Sequence, residues 1–334
     1  MSSARHDVLT IGNAIVDVIA RVDDEFLERE GLNKSIMHLI DEPRAEYLYD
    51  MLPDHKRQIS GGSSANTAAG VASLGGRAAF VGKVAADPLG DFFENDLRLG
   101  GVTYETSRLS GGAATARSMI MVTADGERTM NTYLGACQQL TRADIDEAVI
   151  GAATITYMEG YLWDPPEAKK AFVLAAHYAH KQERATAITL SDPFCVNRYR
   201  DEFLDLIRSR TVDYVFANLE ELKALYETDN IHNAVHQVAE DAEIAAVTLG
   251  AEGAMVIANG EIVTVPAFHV DTVEDVTGAG DQFAAGFLLG MSRGQDLGEA
   301  LRAGCLAASE VITHIGARPL VNLRELADGH GLAV

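Results

Sequence analysis

Residues 275–281, Asp-Val-Thr-Gly-Ala-Gly-Asp, join two chemistries that ordinarily repel. Gly278, Ala279 and Gly280 let successive backbone N–H groups converge, and the apolar segment that follows, QFAAGFLLG, has helical spacing. A helix starting there aims the positive end of its dipole at the same spot, which makes an anion hole. Asp281 stands at its mouth. A carboxylate in that place can cap the helix. It can equally act as a general base, taking a proton from a hydroxyl while the hole stabilises charge on a transferring phosphoryl group. The loop alone leaves both roles open.

Four other stretches carry side chains or bare backbone suited to a polar ligand. TLGAEG (248–253) ends an apolar run in a turn where Gly250 and Gly253 admit close approach, with Thr248 beside them. NLEE (218–221) sets Asn218 and Glu221 three apart on one helix face, either to order metal-bound water and phosphate or to cap the helix. SGGSSAN (60–66) presents bare backbone at Gly61 and Gly62, and Asn66 adds a paired donor and acceptor. IGNAIVD (11–17) places Asn13 and Asp17 just past the first strand, where crevice ligands of open α/β sheets bind. Asp17 could accept two bonds from neighbouring sugar hydroxyls or be an ordinary turn acid. No G-x-x-x-x-G-K-[ST] occurs, so a P-loop site is excluded. A dinucleotide site is disfavoured because no G-x-G-x-x-G follows the first strand.

The elements that must hold these residues are legible as apolar strand-like runs at 7–12, 78–84, 153–160, 185–191, 212–218 and 244–250. Helix-like segments separate them, as in DPLGDFFENDLRLGG, PPEAKKAFVLAAHYAHKQ and NLEELKALYE. Continuous apolar strands alternating with helices predict a sheet covered on both faces, a three-layer α/β/α sandwich. Residues 14–23, 35–41 and 114–134 instead alternate in polarity, the last turning at Asp125-Gly126. They are expected to form a small β-sheet lid, inserted at about 13–41 and 103–134 into a single domain spanning 1–334.

A chain of 334 residues, 47% hydrophobic, buries a substantial core, and its net charge of −22 argues against nucleic acid as a partner. Cys137, Cys195 and Cys305 are far apart and odd in number, the pattern of reduced thiols in a core. No apolar run is long enough to span a membrane, so the expected location is the cytoplasm.

DVTGAGDQFAAGFL resembles the C-terminal signature of the ribokinase-like, pfkB-type carbohydrate and nucleoside kinases, and the resemblance runs from IGNAIVD to GARPL. The resemblance implies the ribokinase-like fold, a Rossmann-like α/β/α sandwich with a small β-sheet lid, with ATP as phosphoryl donor and Mg²⁺. Asp281 would be the catalytic base, with Gly278, Ala279 and Gly280 as the anion hole. Thr248, Gly250 and Gly253 would line the ATP site with Asn218, and Glu221 would hold Mg²⁺ through water. Asp275 falls where some members bind a monovalent cation such as K⁺, with Gly316 in the second segment of that site.

Within the family, GNAIVDVIARVDDEFLEREGL, TADGERTMNTYLGAC, TLSDPF and ALRAGCLAASEVI are similar to the adenosine kinase branch. That branch implies phosphorylation of the adenosine 5′-hydroxyl to AMP, a purine-salvage step. Arg128 would reach the transferring phosphate, Asn13 the purine, and Asp17, Gly62 and Asn66 the ribose, with Gly61 in the same substrate-binding stretch. Ser64 and Ala85 depart from the family pattern, and GYLWD replaces a Phe-Phe pair of that branch, which leaves Tyr161, or less suitably Trp163, to stack on a base. The alternatives are a kinase for ribose, fructose or a related sugar, and a nucleoside-binding protein without catalysis. Either a monomer or a dimer paired through the lids fits the alternation at 114–134.

Overall fold

The computed structural model describes residues 4–334. Its nine-stranded sheet runs, in order, Thr103–Tyr104, Ala78–Val81, His6–Ile11, Ala153–Glu159, Ala185–Thr189, Tyr214–Asn218, Ile244–Thr248, Ala254–Ala258 and Glu261–Val265. The first seven in this order are parallel and the last two join antiparallel. Because side chains alternate across a strand, His6–Ile11 feeds two cores at once. Val8 packs with Val71, Phe283, Leu288 and Leu301 on one face, and Leu9 and Ile11 with Phe172, Val196 and Phe203 on the other. Helices thus cover both faces, which gives the α/β/α sandwich expected from unalternating strands.

The parallel register pairs Ile11 with Met158, Thr189 with Glu159, and Asn218 with Thr248. The carboxyl ends of these strands therefore line up along one edge of the sandwich, the place where open α/β sheets bind ligands.

A second sheet of five strands, Met37–Leu39, Arg128–Tyr133, Ala116–Val122, Ile15–Arg21 and Arg57–Gly61, stands beside that edge. The hairpin at Asp125-Gly126 forms as expected, with Gly126 at φ 87°. Two details differ from the sequence expectation. Thr103–Tyr104 pairs with Ala78–Val81 in the large sheet, so the segment from 103 to 134 is split between the sheets. Tyr104 is drawn there by Phe80 and Phe93, whose rings lie 5.8 and 6.0 Å from its own. Arg57–Gly61, of which the sequence marked only the bare backbone at its glycine end, supplies an edge strand paired with Ile15–Arg21.

The helix Ala279–Ser292 is buried along almost its whole length between Ser63–Ser73 and Leu297–Val311. At Gly286 a Cβ would lie 2.4 Å from the Ala303 carbonyl oxygen, so only glycine permits this approach. The packing immobilises the first turn, which carries Asp281.

Candidate active site

The helix begins at Gly278 in the left-handed conformation, φ 83°, with no side chain capping its amides. A Cβ there would meet Ala317 at 2.6 Å, whereas a Cβ on Gly280 would project into open space. The first glycine is required by the fold and the third leaves room for a ligand. The Asp281 carboxylate accepts no bond from its own helix start. It takes Ser63 Oγ at 2.6 Å and Asn66 Nδ2 at 3.0 Å, both from the neighbouring helix. The capping role left open by the sequence is therefore not realised, although the dipole still favours a charge in this turn. Burial pushes the Asp281 carboxyl up to about 6, against the opposing pull of Ser63 and Asn66. Such a group is ionised at neutral pH yet basic enough to accept a proton.

Two cavities meet at this turn. One, of about 480 Å³, is lined by Asp17, Gly62, Ser63, Asn66, Tyr161 and Asp281, and extends to Asn218, Glu221 and Thr248. The other, of about 650 Å³, lies between Thr248, Gly250, Gly253 and an apolar wall that includes Phe268, Val270, Val273, Ala308 and Ile312. Thr248, Val276, Ala279, Gly280 and Phe283 line both. A group passed from one cavity to the other crosses the uncapped helix start, with Asp281 on the far side.

On the first side, no described residue donates a hydrogen bond to the Asp17 carboxylate. Burial raises it to about 7 although Arg318 and Arg128 pull it down. A carboxylate left without protein donors is suited to accept hydroxyls. Gly61 lies directly beneath it: a Cβ there would fall 2.4 Å from Asp17 Oδ2. Gly62, at φ 93°, leads into the helix Ser63–Ser73. Tyr161 is half-exposed on the rim, and its hydroxyl donates to the Ser191 carbonyl at 3.2 Å.

Asn218 and Glu221 form a reciprocal capping box: Asn218 Oδ1 accepts the Glu221 amide at 2.8 Å, and Glu221 Oε2 accepts the Asn218 amide at 3.0 Å. The capping alternative is thus present, and the pair lines the cavity as well. Burial raises Glu221 to about 7.

Other expected residues have different surroundings. Asn13 is buried and donates through Nδ2 to Glu159 Oε1 at 2.7 Å, so its amide is engaged within the protein. Trp163 is buried against Phe172 and Phe203 with its ring nitrogen on Glu202, so it cannot stack on a ligand. Asp275 pairs with Arg128 and accepts from Thr277 and the Gly316 amide, the last at 3.0 Å. Burial would raise its carboxyl, but these donors and the Arg128 charge hold it below the usual range. A cation at Asp275 would face the guanidinium, so this arrangement does not fit K⁺. Arg128, which also donates to Thr277 Oγ1 at 3.0 Å, is thereby tethered to the glycine loop.

Three residues escaped sequence reasoning. Ser63 holds Asp281. Glu159, at a strand end, gathers the Asn13 side chain and the amides of Asn13 and Ser64. Arg318 donates to Asn66 and Asp96. Ser63 lay within a stretch already singled out, whereas nothing local marks a buried Glu or Arg.

Comparison with known proteins matches residues 5–323 to the model of the pfkB family of carbohydrate kinases. The solved adenosine kinase of Sinorhizobium meliloti is 55% identical, with a TM-score of 0.90, covering 98% of this chain and all of that one. A probable sugar kinase from Rhizobium etli CFN 42 is 52% identical, with a TM-score of 0.91 over 99% of this chain and 100% of that one. Adenosine kinase 2 of Arabidopsis thaliana is 26% identical over 94% of this chain and 96% of its own length.

Proposed function

Because the chain belongs to the pfkB family of carbohydrate kinases, ATP-dependent phosphotransferases acting on hydroxyl groups, we propose that its acceptor is the 5′-hydroxyl of adenosine and its products AMP and ADP. The observation that carries this reading is the shared wall at Ala279 and Gly280. It joins an apolar cavity sized for a nucleotide to a second cavity holding the base Asp281 and Asp17, to which no described residue donates a hydrogen bond.

In this reading Asp17 accepts two ribose hydroxyls, with Asn66 and the Gly62 backbone alongside, and Tyr161 lies against the purine. Asn13 acts at a distance, by holding Glu159 and the strand end. Thr248, Gly250, Gly253 and Asn218 face the nucleotide, whose base lies on the apolar wall. Asp281 takes the hydroxyl proton. The freed oxygen attacks the γ-phosphorus in line, the bond to the bridging oxygen breaks, and ADP leaves. The amides of Gly278 to Gly280 and the Arg128 guanidinium stabilise the charge on the transferring group.

Among the described residues no cluster of three acidic, His or Cys side chains forms a metal cage. Mg²⁺ needs no such cage, since it takes one or two carboxylates, waters and substrate phosphates. Glu221, near neutrality and on the cavity wall, would hold a magnesium-bound water. When bound, the ion supplies charge neutralisation at the phosphates. The three buried free cysteines support a cytoplasmic setting. No helix among the described residues is long and apolar enough to cross a membrane.

A sugar acceptor is the second reading, favoured by the likeness to the probable sugar kinase. Side-by-side turnover with adenosine, inosine, ribose and fructose at fixed ATP and Mg²⁺ separates the two. Adenosine should exceed the free sugars in kcat/KM by at least about tenfold, since they lack a base to fill the slot beside Tyr161. Phosphorylation of sugars alone would overturn the proposal.

A further inference from the structure

We propose that Arg318 is a positioning residue for the base, fixing which end of the Asn66 amide meets Asp281. The inference rests on the reading of Asp281 as the base. A carboxamide has nearly the same shape in its two orientations, but only one presents N–H to a carboxylate. Arg318 Nε donates to Asn66 Oδ1 at 3.3 Å, and Asn66 Nδ2 donates to Asp281 Oδ2 at 3.0 Å. A guanidinium has donors and no acceptor, so this contact forces the carbonyl end toward Arg318 and the NH₂ toward the base. With Arg318 gone, the amide is free to turn its oxygen on the carboxylate.

Arg318 is itself held. Its Nη1 donates to Asp96 Oδ2 at 2.8 Å, and the same oxygen accepts the Ser60 amide at 3.3 Å. Asp96 belongs to the helix Pro88–Leu99, so a relay of three side chains links that helix to the first turn at Asp281. Its remaining nitrogen, Nη2, is buried without a partner, a costly condition for a charged group that ion pairing with Asp96 alone does not require. Burial pulls the Arg318 guanidinium down from its ordinary value, against the opposing influence of Asp96 and Asp17.

Other groups face Asp281 as well. Tyr157 and Glu159 lie on the strand Ala153–Glu159, Tyr161 follows it, and Ser63 donates from the helix that carries Asn66. None of these contacts Arg318 by a hydrogen bond among the described residues, so an effect of Arg318 on Asp281 is expected to pass through Asn66.

The test is a titration of the Asp281 carboxyl by NMR in protein labelled with ¹³C-aspartate, assigned by its loss in Asp281→Asn. It needs no substrate. Arg318→Met and Asn66→Ala should each raise the midpoint by about one unit, the worth of one hydrogen bond to a charge. The double variant should rise no further than Asn66→Ala. Arg318→Lys, which restores a cationic donor, should return most of the shift. Asp96→Asn loosens the relay without opening a cavity and should move the midpoint the same way by less, which keeps the test open if Arg318→Met fails to fold. In turnover at about pH 6, Arg318→Met should lose about tenfold in kcat at saturating acceptor, and acceptor KM should rise as well because Arg318 also holds the Asp17 carboxyl down. Shifts that add in the double variant, or an unmoved midpoint in Arg318→Met, would overturn the role. Absence of adenosine phosphorylation by the wild type would instead sink the proposed acceptor, while the titration still decides the relay.

Discussion

Asp17→Asn separates the acceptor site from the catalytic step, because Asp17 has no donor to lose among the described residues and its proposed role is toward the ligand. Its carboxyl is raised to about 7, so in the empty protein near neutral pH it is about half protonated. Hydroxyl binding requires the ionised form, since a carboxylate accepts two bonds where the acid must give one oxygen to its own proton. A hydrogen bond to a charged group is worth about 1.5–3 kcal/mol, and Asn retains one neutral acceptor. A net loss of about 2–3 kcal/mol corresponds to a fall of about 30- to 150-fold in kcat/KM for adenosine. The pH profile sharpens this. In the enzyme saturated with ATP and Mg²⁺, which hold Glu221 ionised, both Asp17 and Asp281, the latter at about 6, must be ionised. Falling pH protonates both, so the acid limb of log kcat/KM steepens toward a slope of two. In the bound complex the ribose hydroxyls hold Asp17 ionised, so kcat falls with a slope of one. Initial rates of ADP release from about pH 5.5 to 8 measure both limbs. Asp17→Asn should reduce the kcat/KM slope to one and leave that of kcat unchanged. A variant within about threefold of wild type, or one that keeps a slope of two, would refute the assignment of Asp17.

The two outer glycines of the loop should part company on substitution. Gly278→Ala places a Cβ 2.6 Å from Ala317 at φ 83°, and should lower the melting temperature along with activity. Gly280→Ala meets no protein atom, and should keep the melting temperature while cutting kcat by about tenfold or more through intrusion on the phosphoryl path. Asp281→Asn should raise thermal stability at about pH 7.5. The folded-state carboxyl, at about 6, lies above its reference of 3.8, so ionisation destabilises the fold above the folded value and that cost disappears below the reference. The gap in melting temperature should therefore close as pH falls from about 6 to about 4. Arg128→Met should cost about 10²-fold or more in kcat and less in ATP affinity, as measured by nucleotide titration.

The parallel strands were legible because a sheet buried on both faces needs unbroken apolar runs, and the small sheet because one open face makes residues alternate. What escaped was short or distant in origin. Thr103–Tyr104 is two residues long, too brief for any period, and its place is set by aromatic neighbours from 80 and 93. The hairpin of Ala254–Ala258 with Glu261–Val265 turns at Asn259-Gly260, both at positive φ, an available signal that the strand pattern overshadowed. In the candidate site, Asp281 and Asn66 stood out through the glycines near them in the chain, and Asp17 through its place just past the first strand. Asn13 shared that setting yet bonds to Glu159, a partner 146 positions away. Arg318 is likewise defined only by contacts with Asn66 and Asp96, more than 200 positions earlier, so no local spacing could reveal it.

The central claim is that Asp281 takes the proton from the acceptor hydroxyl beside an uncapped helix start. The direct test is single-turnover transfer from γ-labelled ATP to adenosine by Asp281→Asn and wild type, with both ligands saturating. The rate should fall by at least about 10²- to 10⁴-fold while the binding of adenosine and ATP is retained. A variant that transfers the phosphoryl group within about tenfold of the wild-type rate would contradict it.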